Sequence, residues 1–193
     1  ARWKAEEEAE AIRKAKAEEE AEAIRKAEEE AEAIRKAEAE EKERNTIHWD
    51  AVERVVGKDK ADQMKQGEGF TGELNLKGKS ITDEGCRTIA PALRTMPNLK
   101  WLDLSSNNIG DEGLAVLSNV VHAIPLLYGL SLLGNKIGNV GCQCLLELVE
   151  NGSLQSLTFL YLRRNPNISS SELKDKFKRV WREKGKNPNL LKF

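Results

Sequence analysis

Three cysteines and two histidines are the residues of this sequence best suited to metal binding or nucleophilic catalysis. Two of the cysteines form Cys142-x-Cys144, but a zinc site needs a second pair of ligands at a matching spacing. His48 and His122 complete neither a zinc site nor a catalytic pair with a serine or cysteine. We therefore expect no catalytic residue and no metal ligand, and we expect Cys86 and Cys142 to fill small apolar positions in a core.

Two glycine-containing segments match nucleotide-binding motifs only in part. Residues 67–72 read G-x-G-x-x-G, which binds a dinucleotide when a strand precedes it and a helix follows. Here a strand, Glu73–Lys77, is predicted to follow instead. Gly78-Lys79-Ser80 ends like a phosphate-binding loop, but Glu73 occupies the position of that motif's first glycine. No cofactor is expected.

Residues 1–44 hold 11 Lys and Arg and 16 Glu, and they lack Leu, Val, Phe, Gly and Pro. The string AEEEAEAIRK occurs at 5–14, 17–26 and 27–36. These are strong helix formers, and Glu precedes the Arg-Lys pairs by three and four residues, the favourable order. Apolar positions recur about every 3.3 residues, short of the 3.5 of a coiled-coil seam. The pattern predicts a single charged helix over 4–44, with a docking helix or a self-pairing coiled coil as alternatives.

Charge and apolar content exclude two classes of protein. The net charge is −1, which is too balanced for a dedicated nucleic-acid binder. No stretch of about 18 uninterrupted apolar residues exists, so no membrane span is expected. The odd number of cysteines predicts a reducing, intracellular compartment, most simply cytoplasmic, cytoskeletal or ciliary. The chain starts at Ala1 without Met, so import into an organelle after processing stays open.

Leu-x-Leu recurs four times after the charged segment, at fixed phase with other residues. The four copies begin at Leu74, Leu102, Leu130 and Leu160, spaced 28, 28 and 30 residues apart. Each copy is followed by a further apolar residue. In three copies an Asn stands three residues after the second Leu: Asn107, Asn135 and Asn165. In three copies a Gly follows later: Gly85, Gly113 and Gly141. Self-similarity at this period predicts a stacked solenoid.

The pattern resembles the leucine-rich repeat family over about residues 70–181, and its period and its N-x-I-x-x-x-G-x-x-x-L tail are similar to the ribonuclease-inhibitor-like class. The resemblance implies an α/β fold, a short solenoid with parallel strands on the concave side and helices on the convex side. We expect each Asn side chain to bond the backbone at the turn, and each Gly to let the following helix approach closely. Lys79 occupies the Asn position in the first repeat.

The ends of the solenoid must be capped, because no repeat buries its apolar face alone. We expect an N-terminal cap helix that starts after Asn45 or Thr46 and stops at Gly57, and a closing helix that starts near Ser170 and buries Trp181. Pro91 is expected to kink or shorten the helix of the first repeat. The predicted parts are a charged arm at 1–44, a cap helix and loop at 45–69, about four repeats at 70–170, and a capping helix and tail at 171–193.

The concave face is the candidate site. Residues that alternate with the inward leucines should face outward, and they include aromatic and Arg side chains, the types that dominate binding hot spots. Gly129 between Trp101 and Phe159 would leave a notch for a partner; alternatively, the aromatic side chains fill that notch themselves. The candidate protein-binding residues are Trp101, Asp103, Gly129, Leu133, Phe159, Tyr161 and Arg163.

The expected function is therefore non-enzymatic. Resemblance to the repeat family implies a protein–protein interaction module, and the long arm suits a structural or scaffold subunit of a larger complex. The alternatives are a regulator of a small GTPase, an actin-filament binder similar to tropomodulin, and a binder of nucleic acid or acidic membrane through the basic segment 174–192.

We predict that a peptide spanning residues 1–44 is helical and monomeric, because its helix depends on local charge pairs. Raising the salt concentration should lower its helicity modestly, since exposed pairs are screened. Circular dichroism and sedimentation equilibrium measure both properties. A tight dimer at micromolar concentration would contradict the single-helix interpretation.

Overall fold

The structure is a computed structural model that describes residue 22, residues 24–38 and residues 46–193. The chain divides into two units, Ala1–Thr46 and Ile47–Phe193.

Residues 24–38 of the first unit are helical. Lys26 pairs with Glu22 at 2.9 Å and Arg25 with Glu29 at 3.8 Å, the four-residue spacing expected from the repeats. Ile24 and Ile34 are 55% and 52% exposed. Apart from Glu22, which is also helical, the other residues of the helix predicted over 4–44 lie outside the described part.

The second unit contains a parallel sheet whose strands follow one another in chain order. Leucines are register partners in every strand pair. In the first four strands the first leucine of each Leu-x-Leu is the middle residue, and in the last strand Leu191 pairs with Leu160. These leucines are buried. The strands are β1 (Glu73–Asn75), β2 (Trp101–Asp103), β3 (Gly129–Ser131), β4 (Phe159–Tyr161) and β5 (Leu191–Lys192).

Helices connect the strands, and the apolar core between helices and sheet is one continuous cluster of buried residues. Two helices precede β1, one lies between each pair of successive strands, and short 3₁₀ turns at Gly67–Gly69 and Pro188–Leu190 lead into β1 and β5. The helices are α1 (Trp49–Val56), α2 (Lys58–Met64), α3 (Asp83–Arg94), α4 (Asp111–Val121), α5 (Asn139–Glu150) and α6 (Ser171–Glu183).

A buried asparagine joins each repeat to the one before it. The Oδ1 atom of Asn107 accepts a hydrogen bond of 3.0 Å from the Ile81 amide, and its Nδ2 atom donates to the carbonyls of Leu76 and Leu104. The predicted bond from the Asn side chain to the turn is thus confirmed. The same side-chain amide also bonds backbone groups of two successive repeats. The pattern repeats at Asn135 and Asn165.

A second ladder of hydrogen bonds, which the sequence interpretation missed, runs along the starts of the helices. Asp83 Oδ1 accepts from the Gly110 amide at 2.6 Å, and Asp111 Oδ1 accepts from Gly138 at 2.6 Å. A Cβ atom on Gly113 would overlap the Asp83 carboxylate, and one on Gly141 would lie 2.6 Å from Asp111 Oδ1. The recurring glycine therefore makes room for the carboxylate of the preceding repeat as well as for close helix packing.

The N-terminal cap differs from its predicted start. Helix α1 begins at Trp49 with His48 at the N-cap position, so Thr46 lies before the cap; Asn45 is outside the described residues. Ile47 and Val52 both contact the core and occupy the N′ and N4 positions of a hydrophobic staple, which fixes the start of the helix without a polar cap. Gly57, at a φ of 85°, ends α1 as predicted.

Pro91 does not shorten α3, so that part of the expectation is wrong. The helix runs through Pro91 to Arg94 and has 12 residues, as does α5. The proline removes the amide that would bond the carbonyl of Arg87, four residues earlier. Arg87 lies on the exposed side of the helix, where water can replace the lost donor.

The closing helix α6 forms as expected. The Ser170 hydroxyl caps it by accepting from the Leu173 amide, and Phe177 and Trp181 are fully buried. Gly185, at a φ of 73°, lies two residues after its end.

The tail beyond α6 adds a strand that was not predicted. Leu191 pairs with Leu160, and the carbonyl of Lys192 accepts from the Leu162 amide at 2.6 Å. The signal was present, since Leu191-x-Phe193 has the form of Leu160-x-Leu162. The repeat was not recognised because phenylalanine replaces the second leucine.

We expect Trp181→Ala to lower the free energy of unfolding by about 3–5 kcal/mol, because it removes a fully buried indole from the last repeat. Its Nε1 atom also loses a bond to the Asn187 carbonyl. Chemical denaturation measures the change, and Lys178→Ala on the exposed face of α6 should change it by less than about 1 kcal/mol. Equal stability of the two variants would show that α6 does not close the core.

Candidate protein-binding face

The outward side chains of the strands form two rows across the sheet, which fixes the candidate site. Trp101, Gly129 and Phe159 are register partners in the first row. Asp103, Ser131 and Tyr161 are register partners in the second, which Lys192 extends. Neighbouring strands lie about 4.8 Å apart, so side chains within a row are in reach of one another.

The indole of Trp101 fills the space above Gly129. A Cβ atom on Gly129 would overlap ring atoms Cε3, Cζ3 and Cδ2 of Trp101. The open notch is therefore not present, and the packing follows the alternative in which the aromatic side chains cover the glycine themselves. Because Gly129 has no side chain, the indole occupies the space that a Cβ atom would need.

Four aromatic rings meet around this glycine, and we call them the aromatic cluster: Trp101, Tyr128, Phe159 and Tyr161. The Trp101 ring centroid lies 5.7 Å from that of Tyr128, 5.8 Å from Phe159 and 6.1 Å from Tyr161. The rings are tilted or edge-on, as aromatic pairs prefer. All four residues remain partly exposed, so the cluster is a surface and not part of the leucine core.

Tyr128 is the member that sequence reasoning missed. Strict alternation would place Tyr128 on the inward side with Leu130 and would place Leu127 outward, whereas Leu127 is buried. The chain turns just before β3, where the Tyr128 carbonyl accepts hydrogen bonds from the amides of both Thr158 and Phe159. Alternation does not hold at that bend, so the Tyr128 ring packs with the aromatic cluster.

The remaining predicted residues surround the cluster. Asp103 is partly buried, and its Oδ1 atom accepts from the Ser105 amide at 2.9 Å. Leu133 is partly buried just after β3, and Arg163 is exposed just after β4. The structure therefore brings the aromatic residues into contact and leaves Asp103, Leu133 and Arg163 near the strand ends.

The cysteines are poor nucleophiles. Burial raises the pKa of the Cys86 and Cys142 thiols to about 12, so neither forms much thiolate near neutral pH. Their burial confirms the expected core role. His48 and His122 are exposed at helix ends, also as expected.

In the part of the chain that the structure describes, no three His, Cys, Asp or Glu side chains are grouped to hold a metal ion. No helix within those same residues is long and apolar enough to cross a bilayer.

A groove of about 930 Å³ lies on the convex side between α5 and α6. Val140, Cys144 and Leu173 contribute apolar surface to it, and Val140 is 68% exposed. Glu84 and Glu112 occupy the position of Val140 in the two preceding repeats, so the exposed valine is particular to the third. The groove is a second candidate binding surface, besides the aromatic cluster.

We predict that Gly129→Ala destabilises the protein by about 1–3 kcal/mol, because the new methyl group displaces the Trp101 ring. Gly69→Ala is the matched control, since a Cβ atom there meets nothing within 4 Å. In a Trp101→Ala background the cost of Gly129→Ala should vanish, which denaturation of the four proteins in a double-mutant cycle would show. The same cost in both backgrounds would mean that the indole does not cover Gly129.

Comparison with known proteins agrees with the repeat geometry. The family described as Leucine Rich repeat matches residues 95–118. This segment includes β2, the Asn107 turn and the first two turns of α4. No curated protein matches the chain. The chain thus contains a leucine-rich repeat, its parallel α/β architecture is consistent with a solenoid of such repeats, and this repeat suggests a protein-interaction module.

Proposed function

We propose that the protein is a non-enzymatic interaction module that binds a protein partner through the concave face of a ribonuclease-inhibitor-like solenoid. The observation that carries the proposal is the aromatic cluster. Four large rings lie together on the outward side of a sheet and remain partly exposed. Trp and Tyr are enriched among the residues that supply most of the free energy of protein binding.

The rigid support of the aromatic cluster favours the same proposal. The strands beneath the rings are tied to one another by the buried asparagines, and Trp101 is seated on Gly129. A ring that is already fixed loses little conformational entropy when a partner covers it, which favours affinity. Aromatic rings on a mobile loop would not have this advantage.

A role as a structural or scaffold subunit of a larger assembly, in a cytoskeletal or ciliary setting, extends the proposal. It rests on the arm, whose repeated charged sequence offers a surface in addition to the solenoid. A reducing compartment fits the cysteines, which are all free thiols in the structure.

Binding of nucleic acid or acidic membrane by the basic segment 174–192 is less well supported. Lys176 pairs with Glu150 at 3.1 Å, Lys178 with Asp175 at 3.4 Å and Arg179 with Glu183 at 3.9 Å. These carboxylates oppose an approaching phosphate. No observation favours the GTPase or actin-filament roles over a general interaction role.

The test compares proteins captured by the full chain and by three of its variants. We expect Tyr161→Ala to weaken capture of a specific partner at least fivefold, equivalent to 1 kcal/mol or more, without changing the melting temperature greatly. Leu126→Ala, at an exposed leucine that is not a member of the aromatic cluster, should leave capture unchanged. Titration with the purified partner measures the affinities.

Val140→Ser in the convex groove separates the two surfaces. If it abolishes capture while Tyr161→Ala does not, the partner binds the groove and the proposal for the concave face is wrong. Capture that survives all three substitutions would move the site to the arm or to the basic segment.

A further inference from the structure

Positive charge collects at one end of the concave face. The first two repeats carry charges of both signs in and next to their strands: Glu73 and Asp103, with Lys77, Lys79 and Lys100. The last repeat and the tail carry only cations at the corresponding end of the sheet, and we call them the cationic end: Arg163, Arg164 and Lys192.

We propose that the cationic end binds an acidic segment of the partner, while an apolar side chain of the same segment lies on the aromatic cluster. This inference rests on the proposed function, and it adds the chemistry of the partner to it. The partner segment is an extended peptide with carboxylates at one end and an apolar residue next to them.

The geometry places cations and aromatic rings side by side. Tyr161 and Lys192 are register partners on β4 and β5. Arg163 and Arg164 follow Tyr161 by two and three residues, and both are exposed. One extended peptide can therefore reach the Tyr161 ring and the three cations together.

The cations of this end are free to bind. Among the residues that the structure describes, none of the three has a carboxylate partner within 4.0 Å, whereas Lys176, Lys178 and Arg179 on α6 each have one. A guanidinium presents parallel donors that match a carboxylate, and such charge-assisted pairs are stronger than neutral hydrogen bonds.

Arg164 also has a backbone conformation that is unfavourable for a residue with a side chain. Its φ is 57°, in the left-handed region that favours glycine. The equivalent positions of the other three repeats are Gly78 and Gly134, at 66° and 69°, and Ser106, at 56°. The position therefore accepts a residue other than glycine, but its backbone conformation favours glycine and gives no reason for an arginine here.

The same face argues against nucleic acid as the occupant. Asp103 lies in the second row, two strands from Tyr161, and Glu73 is exposed at the far end. A polyanion laid along the face would meet these carboxylates, whereas a peptide that is acidic at one end only would not. The charge pattern thus favours an acidic and apolar peptide.

The experiment uses the full chain and two labelled eight-residue peptides. One has four Glu followed by alternating Leu and Ser, and the matched peptide has Lys in place of Glu. Fluorescence polarisation should show at least tenfold tighter binding of the acidic peptide, weakening severalfold as salt rises and screens the charges. A single-stranded DNA of twelve nucleotides should compete poorly.

Arg164→Gly is the decisive variant, because it removes the cation and supplies the residue that the backbone prefers. Binding of the acidic peptide should fall at least threefold while the melting temperature stays the same or rises. Arg163→Gln should weaken binding similarly, and Arg179→Gln on α6 should not.

Three results would overturn the acidic-segment proposal: equal binding of the two peptides, unchanged binding by Arg164→Gly, or stronger competition by the DNA than by unlabelled acidic peptide. If any of these occurs while Tyr161→Ala still weakens capture of the partner, only the acidic segment is rejected and the proposed function stands. If Tyr161→Ala has no effect either, both fail.

Discussion

The fold depends on the buried side-chain amides of Asn107, Asn135 and Asn165. Each amide satisfies a backbone amide and carbonyl of the preceding repeat as well as a carbonyl of its own. Leaving such buried groups unpaired costs about 1–3 kcal/mol each. Because one side chain serves two repeats, neither repeat is complete without its neighbour, and the stack behaves as a unit.

The binding face follows from this constraint. Because each asparagine bonds the same two positions of the preceding repeat, equivalent residues come into register, and Trp101, Gly129 and Phe159 lie in one row. The absence of a side chain at Gly129 then allows the indole to lie on the backbone, and Tyr128 and Tyr161 pack around it. The aspartate ladder at the helix starts holds the convex side in the same register. A rigid aromatic surface is thus a consequence of repeat stacking.

Much of the fold could be predicted from periodicity, because Leu-x-Leu, the asparagine and the glycine recur at a fixed phase. Periodicity could not predict the start of α1, the course of α3 through Pro91 or the strand β5, since each depends on tertiary contacts or on a substituted repeat residue.

For the site, alternation placed Trp101, Phe159 and Tyr161 on one face. It could not show that the Trp101 ring turns over Gly129, or that a bend brings Tyr128 to them, because side-chain packing and local bends are absent from a linear pattern.

Native-state hydrogen exchange of the Ile81, Ile109 and Ile137 amides tests the central claim most directly. Each of these amides donates to an asparagine Oδ1 atom of the following repeat at 3.0 Å. If the amide ladder unites the repeats, all three should exchange only through global unfolding, with one common free energy equal to that from denaturant titration. Three different free energies, well below the global value, would show that the repeats open separately and that the ladder does not hold the face together.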